Sequence, residues 1–214
     1  MADITWLGHA MFRLRGKEVT IITDPFDRSL GLELPRPKAD IVTISHDHPH
    51  HNAVATLKGE PRVLNGPGEY EIKGIFITGI STFADNKKGA ERGRNTAFLI
   101  ELDDLIICHL GSLGHVLTTK QVEALSDAHV LLVPVGGHST LDVARAAEVI
   151  AQIEPRIVIP MHYRTGAEQV EGEDNLEKFA REMGLKEWKP QDRLAVRASD
   201  LPETTSVVVL DVKQ

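Results

Sequence analysis

Apolar and polar positions alternate with a period of two through much of the first half of the chain, the pattern of strands with one buried face. The β-rich runs ITWL, MFRLR, EVTIITD, DIVTIS, RVLN, EYEIK, IFITGI, TAFLIEL and LIICHL are separated by GKE, GPG, KG and LDD, whose glycine, proline and aspartate suit tight turns. Several neighbours are close enough to pair as hairpins, so this half is expected to be mainly antiparallel sheet. The rhythm then changes. TTKQVEALSDA is helical, HVLLVPV is a buried strand, TLDVARAAEVIAQIEP carries apolar residues at helical spacing, and RIVIPMH is a further strand. Thr140 is the expected N-cap of the second helix and Pro155 its stop. A polar helix around EDNLEKFAREMG precedes closing strands in LAVRA and SVVVLDV. Sheets in the middle with helices outside define an α/β layering. With 214 residues, 42% of them hydrophobic, one domain over 1–214 has enough apolar side chain for its core.

Charge and cysteine usage narrow the function classes. The formal charge of −7 offers no basic face for a phosphate backbone, so nucleic acid is not an expected partner. Cys108 is the only cysteine, which excludes an intramolecular disulfide and any CxxC metal or redox motif. Its strand, LIICHL, suggests a buried inert thiol. No stretch approaches the roughly 20 apolar residues of a membrane span, and MADITWLGHAMF lacks the pattern of a signal peptide. A soluble protein of the reducing cytoplasm is expected.

The densest chemical signal is SHDHPHHN, residues 45 to 52, which follows the apolar run ADIVTI. Histidine is the commonest side-chain metal ligand, and a strand end fixes ligands while the opening loop leaves a coordination position free. In extended backbone His46 and His48 project to one side, and His51 returns to it if the chain turns into a helix at NAVATLK. His162 ends the strand RIVIP, and strand carboxyl ends gather at one rim of an α/β layer. Asp24, in ITDPF, ends another strand, either as a carboxylate orienting an imidazole or as a turn residue before Pro25. The charged segments ADNKKGAERGRN, 84 to 95, and GAEQVEGEDN, 166 to 175, are expected as rim loops. Arg92 and Arg94 either meet an anionic substrate group there or belong to a solvated loop. Trp6 and Phe12 are expected in the core, with His9 between them in core or rim.

ITWLGHAMFRL, IITDPF, the SHDHPHHN loop, PGEYEIKGI, RGRNTAFLIE, CHLGSLGH, PVGG and IPMHYRT resemble, in order and across nearly the whole chain, the metallo-β-lactamase-fold hydrolases, in the branch that includes the ascorbate-phosphate lactonases. The resemblance implies a four-layer αββα sandwich, between α+β and α/β in class, with a metal site along one edge between two sheets. It places His46, His48 and His51 on the histidines of the family's His-x-His-x-Asp-His loop and His162 on its last histidine. Three family ligands are replaced, since His50 stands for an aspartate, Ala84 for a histidine and Ser112 for the aspartate that bridges two metals. A neutral hydroxyl is a poor bridge for divalent ions. Zinc or another transition metal is therefore expected at no more than one per chain, with His50 as an added candidate ligand beside His46, His48, His51 and His162. His109, His115 and His138 lie in segments that the family places near its site and stay open. The implied function is metal-dependent hydrolysis of an ester, lactone or phosphoester bond in a small molecule; the alternative is a non-catalytic metal- or ligand-binding descendant.

Overall fold

A computed structural model describes residues 1–166 and 172–213. Residues 167–171 of the expected second rim loop lie outside the described residues. The strands β1 (Ala2–Gly8), β2 (Met11–Arg15), β3 (Thr20–Thr23), β4 (Ile41–Thr43), β5 (Arg62–Leu64), β6 (Gly68–Ile72), β7 (Ile75–Phe83), β8 (Arg94–Leu102) and β9 (Leu105–His109) fill the first half. There follow α1 (Thr119–Leu125), β10 (Val130–Pro134), α2 (Val143–Ile153), β11 (Ile157–Met161), α3 (Leu176–Glu182), β12 (Leu194–Val196) and β13 (Ser206–Val207). One sheet has the order β12-β1-β2-β3-β4-β5 and the other β13-β11-β10-β9-β8-β7-β6. This is the expected metallo-β-lactamase α/β sandwich.

Both sheets are mixed, which refines the antiparallel expectation. β1, β2 and β3 pair antiparallel, but β3, β4 and β5 run parallel. Parallel neighbours need long crossovers and bring their carboxyl ends side by side, so the segments after β3 and β4 open on the same rim. The second sheet is antiparallel from β6 to β9 and parallel through β9, β10, β11 and β13. All five residues of β10 and all five of β11 are buried, as expected of central parallel strands.

The period-two pattern sorts the first sheet's side chains between two cores. Ile4, Trp6, Phe12, Leu14, Ile21 and Ile41 belong to the main apolar cluster with Phe98, Ile107 and Leu132 of the second sheet. Leu7, Met11, Ile22 and Val42 belong to a smaller cluster with Phe26, Leu30 and Leu57. The β3–β4 and β4–β5 crossovers thus cover that sheet's far face, using short 3-10 turns at Arg28–Leu30 and Val54–Thr56. The second turn is what forms where NAVATLK suggested a helix.

Helix α2 begins two residues later than Thr140 suggested, because the Asp142 carboxylate accepts the Arg145 N–H at 2.9 Å. It ends as expected before Pro155, with Glu154 in a left-handed cap at φ 51°. SVVVLDV contributes only the two residues of β13 and an isolated bridge between Gln191 and Leu210.

One glycine sets the site directly. A Cβ on Gly136 would stand 2.1 Å from the backbone oxygen of His162, while one on Gly66 would meet nothing within 4 Å. Gly136→Ala should therefore destabilise the fold by about 1–3 kcal/mol, the usual cost of overpacking against backbone, and Gly66→Ala by well under 1 kcal/mol. Urea unfolding of the two variants checks this; equal midpoints would show that the His162 turn yields freely.

Candidate metal centre

Four strand ends supply the site. His9 is at the tip of the β1–β2 hairpin with φ 53°, and its carbonyl accepts the Trp6 Nε1–H and the His162 N–H, both at 3.0 Å. His162 follows β11, also with positive φ, at 54°. His51 closes the loop after β4. Ser112 follows β9, where the Asn95 amide oxygen accepts its N–H at 2.8 Å and the Asn95 amide group donates to Leu110 O and Thr82 Oγ1. Gly111 precedes it with φ 59°, and a Cβ there would fall 2.2 Å from Ser45 Cβ, so only glycine lets these loops approach.

His9, His51 and His162 are all buried, and each offers a ligand atom within 4.8 Å of the others'. Their ring centroids are separated by 3.6 Å (His9–His162), 5.0 Å (His9–His51) and 5.4 Å (His51–His162). Behind His51 stands Asp24, whose carboxylate takes the Nδ1–H at 2.8 Å and also accepts the Ser45 N–H and hydroxyl. Asp24 is thus an orienting carboxylate, and its hold on Nδ1 leaves the His51 Nε2 lone pair to accept from Ser112 Oγ at 2.9 Å. Behind His162 stands Glu173, with a carboxylate oxygen 2.9 Å from Nδ1, at ion-pair distance but without hydrogen-bond alignment.

Burial holds His9 and His51 well below the usual imidazole pKa, and the surrounding imidazoles lower both further. Both are neutral near pH 7, so each keeps one lone pair, that of His51 shared with the Ser112 hydroxyl. Burial raises the Asp24 carboxyl, partly offset by His109 and the Ser45 bonds. His9 Nε2, His162 Nδ1 and both Glu173 oxygens are buried without hydrogen-bond partners. Unpartnered buried polar atoms are costly and uncommon, and their concentration around three convergent imidazoles fits a bound transition-metal ion.

The other predicted ligands line the same cavity, of about 530 Å³, without joining the tight group. His46 directs Nδ1 at Arg94 O, 3.0 Å away. His48 Nδ1 accepts the His50 N–H at 3.2 Å, which leaves its proton on Nε2. His50 has Nε2 3.0 Å from the Ser29 hydroxyl, which in turn contacts Asp27. Ala84, Glu91, Arg92, Ser112 and Ser139 complete the wall with Asp47 and Glu173. His109, His115 and His138 do not line it. His109 Nε2 contacts Ala10 O, and both ring nitrogens of His115 are engaged by backbone, Phe83 N and Val116 O.

His9 is the site residue that sequence reasoning left open between core and rim. The available signal was a glycine and a histidine between two strand-like runs, which marks a hairpin tip at a rim. Glu173 was also missed, inside a segment read only as a charged loop.

Sandwich and histidine-lined rim together define a metallo-β-lactamase-type protein, and the chain belongs to that superfamily: the beta-lactamase superfamily domain matches residues 3–162. A crystal structure of a Thermotoga maritima protein, assigned to the zinc-dependent hydrolases of the metallo-beta-lactamase superfamily, superposes with a TM-score of 0.81 at 36% identity over 98% of each chain. UPF0173 metal-dependent hydrolases of Thermoplasma acidophilum and Pyrococcus abyssi are 29% and 28% identical, over 76% and 77% of this chain and 83% and 86% of their own.

The rim loop between β7 and β8 is organised by Asp85. Its buried carboxylate accepts the backbone N–H groups of Lys87, Gly89, Glu91 and Arg92 at 2.7–3.0 Å. Burial opposes ionisation, but the four N–H bonds outweigh it and bring the carboxyl down to about 2 from 3.8. A carboxyl lowered on folding stabilises above its unfolded pKa and loses that contribution as pH falls through the folded value. Asp85→Asn should therefore be less stable than the parent at pH 7, with the gap closing between pH 4 and pH 2. Urea midpoints across that range check it; a constant gap would mean the bonds do not depend on charge.

Proposed function

We propose that this chain is a hydrolase of small molecules whose single transition-metal ion, zinc foremost, is held by His9, His51 and His162. The observation that carries the reading is the convergence of three buried imidazoles, two of them backed by carboxylates, on one cavity. His51 and His162 belong to the set expected from the sequence, and His9 stands in for the aspartate that His50 replaces. His46, His48 and His50 serve in this reading as the cavity's polar wall. When bound, such an ion supplies a Lewis acid and makes water more acidic and more nucleophilic at neutral pH.

The protein's own groups do the rest. Asp24 fixes the ring of His51 and its tautomer, Glu173 faces His162, and the Ser112 hydroxyl offers a donor and acceptor on the wall. A cavity of this size, with few apolar side chains, suits a compact polar ester, lactone or phosphoester, with an anionic group received at the arginine-bearing rim. No described helix is long and apolar enough to cross a membrane. The lone buried Cys108, whose thiol burial pushes far up, is compatible with the cytoplasm as the working compartment.

A second reading rests on the chain of contacts from Ser112 Oγ through His51 to Asp24, at 2.9 and 2.8 Å. These are the distances of a nucleophile, base and orienting carboxylate. The two readings exclude each other because both use the His51 Nε2. Fluorophosphonate labelling of Ser112, read as a mass shift, would favour the serine reading if saturating zinc failed to suppress it.

Elemental analysis after dialysis should give close to one metal per chain for the parent and for His46→Ala. His9→Ala and His162→Ala should each lose at least tenfold in affinity, the usual scale for removing one ligand or its support. Two equivalents in the parent, or undiminished binding by His9→Ala, would refute the three-imidazole site. Screening of ester, lactone and phosphodiester substrates with and without chelator tests the hydrolase reading itself.

A further inference from the structure

We propose that Arg92 is the specificity residue of this hydrolase: it receives an anionic group, carboxylate or phosphate, on the substrate, and Asp85 is the positioning residue that holds it at the cavity mouth. The inference rests on the metal-dependent reading above for the reaction, but on separate residues for recognition.

Arg92 is the only lysine or arginine on the cavity wall among the described residues. One guanidinium nitrogen donates to His138 O at 2.8 Å, so the side chain spans from the β7–β8 loop to the loop after β10. That bond uses one of five N–H donors. No carboxylate lies within ion-pair distance of it among the described residues. The wall's carboxylates are engaged elsewhere: Glu91 with Lys87 at 2.6 Å, Asp47 with the Asn52 amide at 2.8 Å, and Glu173 beside His162. A permanent cation with spare planar donors and no internal counter-ion, at the mouth of a polar cavity, matches the fork geometry of a carboxylate or phosphate.

Rigidity makes this a specificity device. A flexible arginine on an exposed loop would lose much of its binding energy to ordering. Here Asp85 gathers four amides of the loop, those of Lys87, Gly89 and Glu91 and the N–H of Arg92 itself. The backbone that launches the guanidinium is therefore fixed before any substrate arrives. Asp85 touches no part of the cavity and acts only through that loop.

The test uses the metal-loaded full-length chain and matched aryl esters that differ only in a terminal methyl, carboxylate or phosphate. Parent protein should show higher kcat/KM for one or both charged esters than for the neutral one, and the two charged arms separate carboxylate from phosphate preference. Arg92→Gln should lower the charged-to-neutral ratio by roughly tenfold or more, the scale of one charge-assisted pair, with Arg92→Lys intermediate. Asp85→Asn should lower the same ratio through KM while kcat stays close to the parent's; a loss confined to kcat would overturn its positioning role. A second measurement needs no turnover: inorganic phosphate titrated into chelator-treated protein at low salt should raise the Tm of the parent by more than that of Arg92→Gln. Failure of the parent to hydrolyse any of the esters would refute the ester form of the hydrolase reading, and the phosphate titration would then decide this one alone. An unchanged ratio in Arg92→Gln, or equal phosphate stabilisation of both proteins, would overturn the assignment.

Discussion

Asp24 has no exposed surface, and its carboxylate is shared by the Ser45 N–H, the Ser45 hydroxyl and the Nδ1–H of His51. A carboxylate buried without such donors would cost several kcal/mol or take up a proton. The three donors come from the end of β4 and the loop beyond it, and Asp24 itself ends β3, so satisfying one charge registers two parallel strand ends and a histidine loop at once. The backbone contributes in the same direction, since Asp24 N–H donates to Thr43 O at 2.9 Å. Asp24 adopts φ 39° to do this, a left-handed conformation that an aspartate tolerates better than most residues. The position of the His51 ring, and hence its distances to His9, His162 and Ser112, follows from this arrangement.

Electrostatics then select the state of the cluster. Six imidazoles line one cavity, and each protonation would raise the cost of the next. Burial and mutual repulsion act together to keep His9 and His51 neutral. Each neutral imidazole keeps one acceptor nitrogen beside its N–H, so where the N–H is turned to a carboxylate behind, as in His51, the acceptor faces a cavity with few donors. The Ser112 hydroxyl answers one Nε2, and His9 Nε2 has no partner. A cation is the guest that this set of lone pairs accepts best.

Much of the fold was legible because local pattern and tertiary role coincide: every run read as a strand lies on a strand, and three runs read as helices contain α1, α2 and α3. Misreadings arose where a side-chain bond decided. Asp142 rather than Thr140 caps α2 because its carboxylate reaches the Arg145 N–H, which no periodicity reveals. Parallel pairing of β3, β4 and β5 depends on crossovers whose path is set by a second apolar cluster spread over residues 7 to 57. Of the proposed metal set and its support, His51, His162 and Asp24 were legible from strand ends and motif spacing. His9 was not, because it lies forty-two residues before His51 and meets it only through hairpin geometry and a backbone bond to His162. Glu173 lacked any signal beyond a charged loop.

The replacements at positions 50, 84 and 112 change how charge is balanced at the rim. In the family pattern carboxylates contact the ions directly. Here the carboxylates stand one imidazole behind, Asp24 at His51 and Glu173 at His162. In the proposed site two buried carboxylates stand at that remove, and among the described residues no other carboxylate lies within ion-pair distance of a cavity imidazole. Burial and the neighbouring imidazoles hold His9, His48, His50 and His51 below the usual imidazole range, so these rings offer an anion little charge near pH 7. Attraction for a charged substrate therefore falls to a permanent cation on the wall, and Arg92, fixed through Asp85 and His138, is the residue that provides one.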